Sequence, residues 1–224
     1  MIEAAILDFD GLILDTESTF RRSWEEIYTE HGLSVPEAVW ASWVGSSADS
    51  PEAYEYLERH LGRSIDRHAL QARRMTRELE LLEAQSTMPG VDELTADARR
   101  RGLRLAIASS SEYSWVSGHL QRLGLLDRFE AIVSADDVTV TKPAPDLYRT
   151  ALARLGVHPE QAIAFEDSAH GVAAAVAAGL FCIAVPNPVT RHSAFDAADL
   201  VLQSLADCSL DDLLPAAEAL YRDR

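Results

Sequence analysis

The chain has 224 residues, 47% hydrophobic and 25% charged, a composition typical of a soluble globular protein with a core domain and room for an insertion. Its formal net charge of −16 argues against nucleic acid and anionic membranes as partners, because both need a basic face. The beginning, MIEAAILDFDGLILD, has no basic segment, and acids interrupt its apolar stretch. We therefore expect no signal peptide, no membrane span and a cytoplasmic location.

Six short apolar segments along the chain are typical of buried strands. They comprise residues 2–7, 103–108, 131–133, 162–165, 181–185 and, more weakly, 200–202. Helical patterns lie between the later ones. Strands that alternate with helices predict right-handed crossovers and a doubly wound parallel sheet, an α/β fold with a Rossmann-like core. In such sheets ligands bind at the carboxyl ends of the strands.

Residues 16–87 break this alternation, because they contain helical patterns and no convincing strand. We predict that they form an α-helical cap domain, inserted into a catalytic core of residues 1–15 and 88–224. Met88-Pro89-Gly90 marks the return of the chain to the core. We expect the cap to select the substrate.

Polar residues follow the predicted strands at the edge where ligands bind. The set comprises Asp8, Asp10 and Gly11, then Ser109, Ser110 and Ser111, then Lys142, and finally Glu166 and Asp167. Taken singly, each group has a plain alternative as a turn or a helix cap. Taken together, four carboxylates at one edge would repel one another without a cation, and Mg²⁺ prefers carboxylate and carbonyl oxygens. A hydroxyl and a lysine would then bind phosphate.

Lys142 is the only lysine of the chain, beside 19 arginines. One explanation is chance on a solvated loop. The other is a small anion site that admits a compact ammonium and excludes the wider guanidinium fork. The neighbouring acids favour the second, and we expect the Lys142 ammonium to contact both the Asp8 carboxylate and a phosphoryl oxygen.

The segments DFDGLILDTE, ASSS, TKPAPD and AFEDSAHG resemble the four motifs of the haloacid dehalogenase superfamily. The position of the helical insertion resembles the cap of its β-phosphoglucomutase and phosphatase-like branch. The resemblance implies that Asp8 is a nucleophile that forms an aspartyl phosphate, and that Asp10 is the general acid/base. It implies that Ser109 and Lys142 bind the transferring phosphoryl group. It further implies a Mg²⁺ site formed by Asp8, Asp10 through its backbone carbonyl, Glu166 and Asp167.

The resemblance favours a Mg²⁺-dependent phosphatase that acts on a small phosphorylated metabolite, for which a sugar phosphate is a candidate. A hexose-phosphate mutase is an alternative, but Phe20 and Ala48 stand where such mutases have a cap histidine and arginine. A dehalogenase would need neither Asp10 nor the Glu166-Asp167 pair. Phosphonate hydrolases of this superfamily use a cap lysine, which this cap lacks. A non-catalytic phosphate-binding protein would not need both Asp8 and Asp10.

The sequence gives the least information about which residues contact the substrate. We predict that these contacts involve Gly11, Gly45, Ser46, Ser109, Ser110 and Lys142. Trp115 follows the serines and would either face the site or pack its helix against the core. A monomer is the default expectation for the assembly.

Overall fold

The computed structural model describes residues 1–37, 39–40, 51–207 and 209–223. The chain forms two compact units, one of Met1–Leu14 with Ser86–Arg224 and the other of Asp15–Gln85. We propose that the first unit is the catalytic core and the second the cap. None of the described helices combines the length and the apolar character that crossing a membrane requires.

The sheet of the larger unit has six strands among the described residues. They are β1 (Ala4–Leu7), β2 (Arg104–Ala108), β3 (Ala131–Val133), β4 (Ala162–Glu166), β5 (Phe181–Ala184) and β6 (Leu200–Val201). Their order is β3-β2-β1-β4-β5-β6, and every neighbouring pair is parallel. The predicted doubly wound α/β sheet is confirmed. The strand order runs outward from β1 in both directions. The carboxyl ends of β1 and β4 therefore mark the topological switch point, where such sheets bind ligands.

Eight α-helices are defined among the described residues. The smaller unit contains α1 (Thr16–Glu30), α2 (Pro51–Leu61) and α3 (Arg67–Glu83). The larger unit contains α4 (Val91–Arg100), α5 (Tyr113–Arg122), α6 (Asp146–Leu155), α7 (Ala169–Ala177) and α8 (Leu210–Asp223). The alternation of β2 to β5 with α5 to α7 is the pattern that the sequence predicts.

The core of the larger unit is formed by apolar side chains of the sheet and of the helices packed on it. All four residues of β1 are buried, which fits a central strand covered on both faces. Leu147, Ala151 and Leu155 repeat at helical spacing in α6 and belong to one buried cluster with β2 and β4 residues. This packing fixes the strand ends that carry the polar residues.

The smaller unit has a core of aromatic and aliphatic side chains. Trp24 packs edge-on against Tyr54, with 4.9 Å between ring centroids, and stacks on Tyr28. The buried guanidinium of Arg74 lies over the Phe20 ring, 4.8 Å from its centroid, and its Nη1 pairs with Glu78 Oε2 at 2.6 Å. The described residues of this unit form helices and no strand, as the sequence predicts.

Candidate active site

The ends of β1 and β4 place two acids side by side at the switch point. Leu7 pairs with Phe165 in the parallel ladder, and the Asp8 amide donates to the Phe165 carbonyl at 3.0 Å. Asp8 therefore emerges beside Glu166, and Asp167 follows directly. One carboxylate oxygen from each of Asp8, Glu166 and Asp167 lies within 4.8 Å of the others, and all three residues are buried. This cluster contains three of the four acids that the sequence places at this edge of the sheet.

Lys142 lies within this acidic cluster. Its Nζ is 2.5 Å from Asp8 Oδ1 and 2.6 Å from Glu166 Oε1, and its side chain is only 6% exposed. The predicted contact with Asp8 is therefore confirmed. Burial by itself lowers the pKa of Lys142, but the charges of Asp8 and Glu166 outweigh burial and raise that pKa above its ordinary value. Lys142 is thus a fixed cation in the site.

Three acids and one ammonium leave the buried cluster with an excess of negative charge. Burial raises the pKa of Asp8 to about 7, against the attraction of Lys142, and the charges of Glu166 and Asp10 add to the rise. An ionised Asp8 is thus costly in the protein alone. A second cation beside the cluster would offset this cost, and the all-oxygen donor set fits Mg²⁺.

Glu166 is held by groups on two helices. Tyr148 of α6 donates its hydroxyl hydrogen to Glu166 Oε1 at 2.5 Å. Burial, and next the charge of Glu166, raise the pKa of Tyr148 well above its ordinary value, so the phenol remains a donor. A Cβ atom at Gly171 of α7 would overlap the Glu166 carboxylate. The Ser168 side chain accepts from the Gly171 amide at 3.1 Å and caps α7. Glu166 and Asp167 therefore directly precede the first turn of this helix.

Asp167 has a partner that the sequence analysis missed. Asn187, in the loop after β5, donates through Nδ2 to Asp167 Oδ2 at 2.7 Å and to the Gly11 carbonyl at 3.3 Å. Its own Oδ1 accepts from the amides of Val189 and Thr190. The only sequence signal was the Pro-Asn-Pro segment at a strand end, a typical loop composition.

Asp10 does not join the acidic cluster with its side chain. Its Oδ2 accepts from Ser111 Oγ at 2.6 Å and from Ser109 Oγ at 3.3 Å, and its Oδ1 accepts from Trp115 Nε1 at 3.0 Å. Ser109 is buried and Ser110 is exposed. Trp115 thus reaches the site through its N–H, while its ring also packs against His119. The contact of Ser111 with Asp10 was not foreseen.

The other predicted residues are only partly placed. Gly11 lies in the turn after β1, where its amide donates to the Leu14 carbonyl at 2.8 Å. Gly45 and Ser46 lie outside the described residues, and so does Ala48. Substrate contacts by Gly11, Ser110 and the cap residues remain predictions.

Gly11→Ala is expected to reduce stability more than Gly102→Ala. Gly11 has φ +77° and Gly102 has φ +76°, so alanine is strained similarly at both, by about 1 kcal/mol. At Gly11 the new Cβ would also overlap Asp167 Oδ2 and lie 2.6 Å from Asn187 Nδ2, whereas at Gly102 it meets no described atom within 4 Å. We expect an additional loss of about 1–3 kcal/mol in the free energy of unfolding from denaturant titration. Equal losses of unfolding free energy in the two variants would mean that the Asp167 side chain moves away from the new Cβ at no cost.

Comparisons with known proteins identify the family. A model described as haloacid dehalogenase-like hydrolase matches residues 5–185. The chain belongs to this family. YhcW of Bacillus subtilis (strain 168) is 44% identical over 214 residues, covering 96% of this chain and 97% of that protein. Hexitol phosphatase B of Escherichia coli (strain K12) is 32% identical, with coverage of 95% and 97%.

A solved relative of this haloacid dehalogenase-like hydrolase has the same fold. The crystal structure of CbbY from Rhodobacter sphaeroides in complex with phosphate has a TM-score of 0.73 and 32% identity, covering 95% of this chain and 99% of that one. A variant of CbbY has been solved in complex with xylulose-(1,5)bisphosphate. The resemblance seen in the motifs is therefore confirmed, and the protein is an enzyme of a hydrolase family.

Proposed function

We propose that the protein is a Mg²⁺-dependent phosphatase that hydrolyses a small phosphorylated metabolite through an aspartyl phosphate at Asp8. The observation that carries this proposal is the buried Asp8 carboxylate at the switch point, 2.5 Å from the ammonium of Lys142 and beside Glu166 and Asp167. The names of the relatives support a phosphate monoester as substrate. A sugar phosphate is the class we favour, since CbbY binds a sugar bisphosphate.

Asp8 is the proposed nucleophile. One of its carboxylate oxygens attacks phosphorus while the bond between phosphorus and the leaving oxygen breaks, which gives an acyl phosphate on Asp8 and an alkoxide. Lys142 faces the same carboxylate, so its positive charge can stabilise the equatorial phosphoryl oxygens as well. Ser109 lies on the neighbouring strand end and is proposed to contact a phosphoryl oxygen.

Asp10 is the proposed general acid and base. It lies two residues beyond Asp8, in the turn that follows β1. As an acid it gives its proton to the leaving alkoxide, and as a base it later takes a proton from the water that attacks phosphorus. That second attack breaks the acyl phosphate, releases inorganic phosphate and returns Asp8 to its carboxylate form. Two steps with a covalent intermediate thus replace one difficult displacement.

The residues at the strand ends fit a Mg²⁺ site. Asp8 and Asp167 would supply carboxylates, the Asp10 backbone carbonyl is proposed as a third ligand, and Glu166 would complete the acidic set. Because Lys142 and Tyr148 contact Glu166 Oε1 and Ser168 Oγ donates to Oε2 at 3.4 Å, we propose that Glu166 would act on the metal through water. When bound, Mg²⁺ supplies positive charge that keeps Asp8 ionised and offsets charge on the phosphoryl group.

Mg²⁺ is expected to raise the thermal stability of the wild-type protein. A ligand that binds the folded state at 100 times its Kd contributes about 2.7 kcal/mol, which for a chain of this size raises Tm by about 5–10 °C. Asp167→Asn should lose most of this shift, because it removes a charged ligand. Differential scanning calorimetry with Mg²⁺ and with EDTA measures both. Asp127→Asn, an exposed site, is the control, and a full shift in Asp167→Asn would remove Asp167 from the metal site.

Product analysis separates the phosphatase from the mutase alternative. With Mg²⁺, p-nitrophenyl phosphate should be turned over and EDTA should stop the reaction. With β-glucose 1-phosphate, a phosphatase releases glucose and inorganic phosphate, whereas a mutase forms glucose 6-phosphate. We expect no glucose 6-phosphate, since Phe20 cannot replace a histidine in proton transfer. Its accumulation would favour the mutase.

A further inference from the structure

The Asp10 carboxylate is fixed by donors at both of its oxygens. Ser111 Oγ and Ser109 Oγ lie 2.6 and 3.3 Å from Oδ2, and Trp115 Nε1 lies 3.0 Å from Oδ1. The two hydroxyls can rotate and can either donate or accept, but an indole N–H only donates. Trp115 is therefore the one member of this set whose hydrogen bond has a fixed direction.

Trp115 is itself held by packing. Its ring meets His119 edge-on, with 4.4 Å between the centroids, and His119 in turn stacks on Phe9 at 6.3 Å. Phe9 is buried and directly precedes Asp10. The start of α5 is anchored by the Tyr113 amide, which donates to Asp136 Oδ2 at 2.8 Å. A continuous row of rings thus connects the indole to the residue that precedes Asp10.

We infer that Trp115 is a positioning residue for Asp10, an inference that rests on the proposed phosphatase function. Its N–H keeps Oδ1 as an acceptor, which stops rotation of the carboxylate and leaves Oδ2, on the serine side, as the oxygen that carries the transferred proton. Proton transfer to a leaving group depends steeply on such alignment, and about 1 Å of displacement can cost on the order of 100-fold in rate. Loss of the N–H therefore weakens general acid catalysis and spares the attack by Asp8.

The dependence of rate on the leaving group isolates this role. p-Nitrophenolate leaves without a proton, whereas an alkoxide needs one from Asp10. Trp115→Phe keeps an aromatic ring against His119 and removes the N–H. We expect kcat/KM for ethyl phosphate to fall about 10-fold or more, and kcat/KM for p-nitrophenyl phosphate to stay within about threefold of wild type. The loss of kcat/KM for phenyl phosphate should lie between these two losses.

Trp24→Phe is the matched control, because the buried Trp24 Nε1 has no hydrogen-bond partner among the described residues. Trp24→Phe should leave the ratio of kcat/KM for ethyl phosphate to kcat/KM for p-nitrophenyl phosphate unchanged. Where Trp115→Phe does not fold by circular dichroism, β-(3-benzothienyl)alanine at position 115 keeps the bicyclic shape and lacks the N–H. Equal losses on all three esters, or none, would overturn the inference. Failure of the wild-type protein to hydrolyse any of them would instead overturn the proposed function.

Discussion

Asp8→Asn is expected to fold normally and to lose turnover of p-nitrophenyl phosphate by a factor on the order of 10⁴ or more. An amide oxygen is a poor nucleophile, and loss of a nucleophile that acts together with its partners removes nearly all of the chemical catalysis. Steady-state kinetics with Mg²⁺ measures the loss. Asp127→Asn, an exposed change of the same kind, should retain wild-type rates.

The same variant should be at least as stable as wild type in EDTA. The pKa of Asp8 rises on folding from an ordinary value of 3.8 to about 7, first because of burial. The unfolded state therefore ionises Asp8 more readily, and the metal-free protein loses stability from this group as the pH rises from about 4 to 7. Asparagine removes that pH dependence. Retained turnover in Asp8→Asn protein of verified sequence would overturn the assignment of the nucleophile.

The fold could be predicted from the sequence because its central strands β1, β4 and β5 are buried on both faces. A run such as Ala4–Leu7 shows no alternation, which is typical of a strand in a parallel sheet that helices cover on both faces. The strand order could not be predicted from the sequence. The meeting of the polar residues could, because the carboxyl ends of parallel strands lie at one edge of the sheet. Asp8, Lys142, Glu166 and Asp167 are brought together there.

The contacts of Tyr148 with Glu166 and of Asn187 with Asp167 were not predicted. Tyr148 reads as one more apolar position of α6, and its hydroxyl reaches Glu166 only once α6 has packed on the sheet. Asn187 lies beyond β5, and nothing near it in the chain indicates that its amide will meet Asp167. For Trp115 the sequence allowed either a place facing the site or a role in helix packing, because an indole both packs and donates a hydrogen bond. Such contacts depend on tertiary geometry that periodicity does not encode.

Lys142→Arg is expected to remain folded and to lose kcat on the order of 100-fold. The Lys142 Nζ fits between two carboxylates, at 2.5 Å from Asp8 and 2.6 Å from Glu166, with 6% of the side chain exposed. A guanidinium keeps the charge, but its planar fork is wider and its five donors point in fixed directions. It can keep both contacts only by displacing an acid, and about 1 Å of displacement can cost about 100-fold in rate.

Two further variants separate charge from shape in this prediction. Lys142→Ala leaves Asp8 and Glu166 buried without their cation, so it should lose at least as much kcat and also about 3–5 kcal/mol of stability in EDTA. Arg104→Lys makes the reverse exchange in a surface pair with Glu130 and should stay within about twofold of wild type. Steady-state kinetics with Mg²⁺ and denaturant titration measure these effects. If Lys142→Arg turned over within about threefold of wild type, the site would have room for a guanidinium, and the single lysine of the chain would be an accident of composition.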